Sequence, residues 1–270
     1  MPTRSLLART LARLLGHHRG RSYEDVLGPR YAAACPIDAP GACAALRVVT
    51  FNVEFSRRVN GAIALLKSDP ALCDADVVLL QEMDHDGTAR IAHAMDMGYV
   101  YYPSVFHGQA GKDFGNAVLS RWPVATDAKL VLPHPSRLAG THRTATVATL
   151  RVAGTHVRVY STHLGTPLDV SAARRREQLW AVFADAAPHP AVIIGGDLNE
   201  HAIGWEALAA GYAWPTREGP RTVSLGRWDH LFFRGLRLPE TGASGTGPAA
   251  GPDARRVSDH RPVWAVGLLG

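Results

Sequence analysis

The run Ala191-Val192-Ile193-Ile194-Gly195-Gly196-Asp197-Leu198-Asn199 decides how this chain is read. Apolar, mostly β-branched residues lead into two glycines and stop at an acid and an amide. The pattern is that of a buried strand with chemistry at its C-terminal end. On an extended backbone Asp197 and Asn199, two positions apart, face the same way. The glycines let another backbone or a phosphate come close. A carboxylate beside a carboxamide can hold a hydrated divalent cation or aim a water at phosphorus. It can equally end a strand in an ordinary Asx turn, so the neighbouring segments must decide.

Those segments repeat the arrangement. Leu46 to Phe51 is a strand delivering Asn52, and Asp76 to Gln81 a strand delivering Glu82. Thr144–Val152 and His156–Thr162 alternate as an antiparallel hairpin around Gly154, followed by His163. Trp228–Phe233 and His260–Val266 read as later strands, carrying Asp229 at the start of one and Asp259-His260 at the start of the other. Tyr99–Pro103, Gly115–Ser120 and Val124–Leu132 are further strands. Helical periodicity marks Val59–Lys67, Thr88–Met97, Asp169–Ala186 and His201–Ala209. The stretch from Gly242 to Arg256, rich in Gly, Ala and Pro, reads as a mobile loop. Crossover helices mixed with hairpins predict an α/β (α+β) fold, in which two packed mixed sheets are flanked by helices.

A length of 270 residues with 46% apolar residues supports a large core, and 20% charged residues argues against global disorder. No run approaches the roughly 20 apolar residues of a membrane span. The net charge of +5 favours an anionic or phosphorylated partner over a cationic one. Three cysteines form no metal spacing and too few bridges for a disulfide framework. Cys35 and Cys43 can pair in an exported protein or stay free in a cytoplasmic one, and the balance tilts toward the cytoplasm. Residues 1–43 read as a basic amphipathic extension and linker, with residues 44–270 as the domain. Arg4, Arg9, Arg13, Arg19 and Arg21 interrupt a leucine-lined helical face. That helix docks on the body, stays a loose extension, or makes a weak membrane-surface contact through residues 1–21.

Thr50-Phe51-Asn52-Val53, Leu80-Gln81-Glu82, Gly115-Asn116 through Arg121, Ser161-Thr162-His163-Leu164, Gly196-Asp197-Leu198-Asn199, Trp228-Asp229-His230 and Ser258-Asp259-His260-Arg261-Pro262-Val263 follow one another in order. The ordered set resembles the endonuclease/exonuclease/phosphatase superfamily, which has the pancreatic-deoxyribonuclease fold, from about Leu46 to the C-terminus. The resemblance implies a four-layer sandwich and hydrolysis of a phosphoester with Mg²⁺, or Mn²⁺ in its place. It implies Glu82 as the metal carboxylate, with Asn52 and Asp259 in or near the shell. Asp197 would orient the attacking water, Asn199 contact phosphate, and His260 pair with Asp229. His163 would hydrogen-bond a phosphate oxygen, and Asn116 line the cleft.

The residue chemistry agrees with these roles. Mg²⁺ takes oxygen ligands and keeps several waters, so one or two carboxylates suffice. No HxH or HExxH spacing offers zinc a site. A histidine held by a buried carboxylate has a fixed tautomer and a raised proton affinity. The implied function is a phosphodiesterase, with a non-specific DNA or RNA nuclease or a sphingomyelinase-like phospholipid phosphodiesterase as alternatives. A non-catalytic binding module would have lost part of the constellation, and no part is lost. Arg174-Arg175-Arg176 reads as a solvated helix face, and Tyr99, Tyr101 and Tyr102 as strand packing. The oligomeric state is not legible.

Overall fold

A computed structural model describes residues 21–37, 41, 45–108, 110–240, 244–246 and 257–270. The proposed N-terminal helix through residue 20, Cys43 and most of the 242–256 loop lie outside them.

The strands that alternate in sequence pair into two mixed sheets. The first contains β1 (Arg21–Ser22), β2 (Tyr31–Ala33), β3 (Ala45–Asn52), β4 (Val77–Met83), β5 (Gly98–His107), β6 (Lys112–Ser120), β12 (Ser244–Thr246) and β13 (Val263–Leu268). Its order is β1-β5-β6-β4-β3-β13-β12, with β2 also on β5. The second contains β7 (Val124–Val131), β8 (Thr144–Val152), β9 (Thr155–His163), β10 (Val192–Asp197) and β11 (Asp229–Arg234), in the order β11-β10-β9-β8-β7. The β3–β4 and β9–β10 pairs are parallel, and the remaining pairs are antiparallel.

Strand alternation divides the core into layers. Val48, Val77, Leu79, Val118, Val159, Ile193, Leu231 and Phe233 meet between the sheets. The opposite faces of the first sheet, through Val49, Phe51, Val78 and Leu80, cover helices α1 (Val59–Ser68) and α2 (His85–Ala94). In the second sheet Tyr160, Ile194 and Phe232 cover α3 (Ala172–Ala186) and α4 (Gly204–Ala209). The four-layer sandwich expected from the sequence is therefore present.

Local chemistry moved several boundaries. Helix α2 starts at His85 rather than Thr88 because the Asp84 side chain caps it, accepting from Gly87 N at 2.7 Å. Ser171 caps α3, which begins three residues later than expected. His260 lies in the turn before β13, not on the strand. Ser244–Thr246, expected in the loop, pairs with β13.

The stretch expected to lie outside the domain joins the sheet from residue 21 onward. Both β1 and β2 pair with β5. Lys129, 3% exposed, donates to the carbonyls of Tyr23 (2.9 Å) and Gly28 (2.7 Å), and Arg30 pairs with Asp127 at 2.6 Å. A buried ammonium needs those acceptors, which ties the segment to the body. In the basic run of α3, Arg175 is buried and paired to Glu200 at 2.8 Å, so that run is not a uniformly solvated face. The tyrosines pack as expected: Tyr101 is fully buried and donates to Met83 O.

Candidate active site

The layer between the sheets is apolar at one end and polar at the other. Along β3, Leu46 and Val48 give way to Thr50 and Asn52; along β4, Val77 and Leu79 give way to Gln81. Along β9, Val157 and Val159 give way to Ser161 and His163, and β10 and β11 contribute Asp197 and Asp229. Register aligns them. Asp197 is the cross-strand partner of His163 on one side and of Asp229 on the other, and Asn52 is opposite Gln81. Partners in register share a face, so these polar ends converge between the sheets. Gln81 Nε2 bonds Ser161 Oγ at 3.0 Å across the layer and seals its floor.

Glu82 has the wrong parity for this face. It reaches the site because its backbone is left-handed (φ 59°) and the β4–β6 register shifts between Leu80 and Met83. A bulge of this kind re-aims one side chain. Its Oε2 accepts from Phe55 N at 3.2 Å, in a turn where Glu54, Phe55 and Ser56 all have positive φ. Three successive left-handed residues are costly, of order 1–2 kcal/mol each.

Asp197 is the hub. Its Oδ2 accepts from Asn52 Nδ2 at 3.1 Å and lies 3.3 Å from His163 Nε2 and 3.5 Å from His260 Nε2. Its Oδ1 accepts from Asn199 N at 3.0 Å. His260 Nδ1 sits 2.9 and 3.1 Å from the two oxygens of Asp229. An imidazole with a carboxylate facing each nitrogen is held as the imidazolium, which donates from Nδ1 to Asp229. Ser258 holds the turn, donating to Asn52 O at 2.7 Å and accepting from His260 N at 3.1 Å.

The electrostatics follow from burial and these neighbours. Burial pulls the His260 pKa down, but Asp229 and Asp197 outweigh it and carry it from 6.5 to about 10. Burial raises the carboxyl of Asp197, against the opposing charge of His260. Burial also raises Glu82, with Asn52, Arg143 and His260 acting the other way. His163 falls well below its ordinary value through burial, then the charges of Arg143 and His260. His163 is therefore neutral, with its Nε2 3.3 Å from Asp197 Oδ2. Its buried Nδ1 has no hydrogen-bond partner among the described residues and lies 3.9 Å from Glu82 Oε1.

Of the residues read from sequence, the structure brings Asn52, Glu82, His163, Asp197, Asn199, Asp229 and His260 together. Asp259 is exposed at the rim, near enough for its charge to act on Glu82 and His260. The Asn199 amide nitrogen is committed to Leu164 O at 3.0 Å, so this residue acts on Asp197 through its backbone rather than reaching out through that nitrogen. Asn116 donates to Thr144 O at 2.7 Å, and its buried Oδ1 has no partner among the described residues. The sequence reading missed Arg143, half-buried and facing Glu82 and Asp197, whose guanidinium burial drags below its usual pKa. The available signal was its place before β8, in line with the end of β9, where Ala145 pairs with Thr162.

The donors of Asp197, Asp229 and His260 all lie within 4.8 Å of one another, close enough for a metal. Asp229 and His260 are already joined by a hydrogen bond, with Asp197 3.5 Å from the other ring nitrogen, and a cation there would displace the His260 protons. Glu82, with the Asn52 amide beside it and Asp259 at the rim, is the better fit. A half-buried carboxylate raised by desolvation calls for a cation, and its oxygens suit a hard hydrated one; Asn52 Oδ1, which accepts from Glu54 N at 3.1 Å, keeps one further lone pair.

Fold and site together define an α/β sandwich whose chemistry sits between two sheets at their polar strand ends. The sequence profile of the Endonuclease/Exonuclease/phosphatase family matches residues 49–260, and the chain belongs to that family. Its members are generally hydrolases of phosphoester bonds and typically depend on a divalent metal. An endonuclease/exonuclease/phosphatase structure from Beutenbergia cavernae is 21% identical, with TM-score 0.68 over 84% of this chain and 72% of that one. Humanized D. rerio TDP2 is 18% identical, with TM-score 0.63 over 83% and 99%. The human Nocturnin catalytic domain with bound sulfate is 16% identical, with TM-score 0.61 over 89% and 98%. Identities this low carry the fold and not the substrate. No curated protein sequence matches the chain.

Proposed function

We propose that this protein is a Mg²⁺-dependent phosphodiesterase, with Mn²⁺ as a substitute. The observation that supports it best is the His260 imidazolium held between Asp229 and Asp197. Glu82, with Asn52 and Asp259, would hold the cation, which when bound neutralises charge on the phosphate. Asp197 is the proton acceptor for the attacking water. Asn52, His163 and Asn199 fix its carboxylate, and its raised proton affinity suits that task. His260 keeps its proton at neutral pH and therefore acts as a cation beside the developing negative charge rather than as the base. Arg143 adds a second positive charge on the Glu82 side. Asp229 holds His260 in its charged form and fixed orientation.

The test is a panel of phosphoesters with and without Mg²⁺ and Mn²⁺: bis-p-nitrophenyl phosphate, a monoester, DNA, RNA and sphingomyelin. Metal-dependent turnover of a diester, lost in His260→Ala, is the expected result. Turnover of none of them with either metal refutes the reading.

A further inference from the structure

A second depression opens beside the Arg143 face of the site. It encloses about 350 Å³ and is walled by Phe55, Phe106 and Phe114, with His107, His142 and Arg143 around them. The three phenylalanines are half-exposed, where an apolar ring gains little unless something covers it. Two of them touch: Phe55 and Phe114 have centroids 5.2 Å apart, and Phe55 meets His107 edge-on at 5.3 Å. The hollow borders the catalytic centre. The Phe114 ring lies 6.1 Å from that of His163, the Arg143 guanidinium sits 5.8 Å from the Phe114 ring, and Phe55 N bonds Glu82. The left-handed turn at residues 54–56 carries both the Glu82 contact and the Phe55 ring, so it couples hollow and centre.

We infer that this hollow is a subsite for a planar aromatic group esterified to the phosphate that the catalytic centre attacks. The inference rests on the phosphoesterase reading above and narrows its substrate class. Ring walls favour a flat π-system through stacked or tilted contacts, and the Arg143 charge at the inner end faces the phosphate linking ring to centre. The volume suits a single ring or base, at the low end for ligand pockets, and not paired acyl chains. The ring can come from a nucleobase or from an aryl ester, and the chemistry recognised is the same.

Calorimetric titration of the full chain in Mg²⁺ buffer tests this with methylphosphonate, hexylphosphonate, phenylphosphonate and thymidine monophosphate. At least one ring-bearing ligand should bind about tenfold tighter than methylphosphonate. A phenyl preference identifies an aryl source, and a thymidine preference a nucleotide source. Phe106→Leu keeps apolar bulk but removes a ring, and should bring the ratio close to unity. If it does not fold, Phe55→Leu on the same wall gives the comparison. Equal binding of all four ligands overturns the inference, as does hexylphosphonate matching the ring-bearing ligands, which would mean an alkyl-chain groove. A ranked series with no turnover of any phosphoester leaves the subsite standing and removes the proposed function; turnover with an unranked series does the reverse.

Discussion

Replacing Asp229 by Asn isolates the charge that keeps His260 protonated. The wild-type imidazolium holds its proton to about pH 10, so activity that needs it should fall along an alkaline limb there. The Asp229 carboxylate lies 2.9 Å from Nδ1. At an effective dielectric of about 20, a charge about 3 Å away is worth about 5 kcal/mol, several-thousand-fold in proton affinity. Without it, burial still disfavours the charged ring and only Asp197 and the exposed Asp259 support it, so His260 should titrate near or below about 6.5. At pH 8 the protonated fraction then drops from nearly all to about 3%, which lowers kcat about 30-fold by itself. The sign is fixed: a raised pKa lowered by the mutation moves the alkaline limb to lower pH. The assay is the pH–rate profile on bis-p-nitrophenyl phosphate, paired with NMR titration of the His260 ring. The double variant Asp229→Asn, His260→Ala should cost little more than the worse single one, because the two act together. An alkaline limb that stays put in Asp229→Asn, or fully multiplicative losses, would refute the coupling and send the search for the cation elsewhere.

Glu82→Gln keeps shape but removes the metal-facing charge, so it should mimic exhaustive chelation, and added Mg²⁺ should restore the chelated wild type but not the variant. Full activity of chelated enzyme in metal-free buffer contradicts this site. A chain starting at Ala45 loses β1 and β2 and deprives Lys129 of the Tyr23 and Gly28 carbonyls, while one starting at Arg21 keeps them. The shorter chain should be less stable by about 3 kcal/mol or more, read as a lower urea midpoint, and equal midpoints would detach the segment from the body. Gly196→Ala should abolish folding, because its Cβ would stand 1.8 Å from Thr162 O at φ 153°. Gly154→Ala, also at positive φ but with open space around it, should cost only about 1–2 kcal/mol by thermal melting.

Much of the site was legible because strand alternation is local. A residue two positions past a buried one faces the same side whatever the rest of the chain does, so Asn52, His163 and Asp197 could be placed at strand ends from their neighbours alone. The apolar runs likewise carried the two sheets and their helices. Three features were not legible. Glu82 was expected at the site, but not how it gets there: strand parity points it away, and only the bulge against β6, a long-range pairing, turns it inward. Arg143 is a lone arginine in a loop, and its meaning comes from Glu82 and Asp197 reaching it from other strands. The segment from residue 21 to 33 has the composition of a linker, yet it supplies carbonyls to a lysine about a hundred residues away. Sequence determined which faces are buried and which groups end the strands, since both are set by spacing over a few residues. Tertiary structure decided which of those groups share a proton, because burial, distance and charge are fixed only when separate strands come into register.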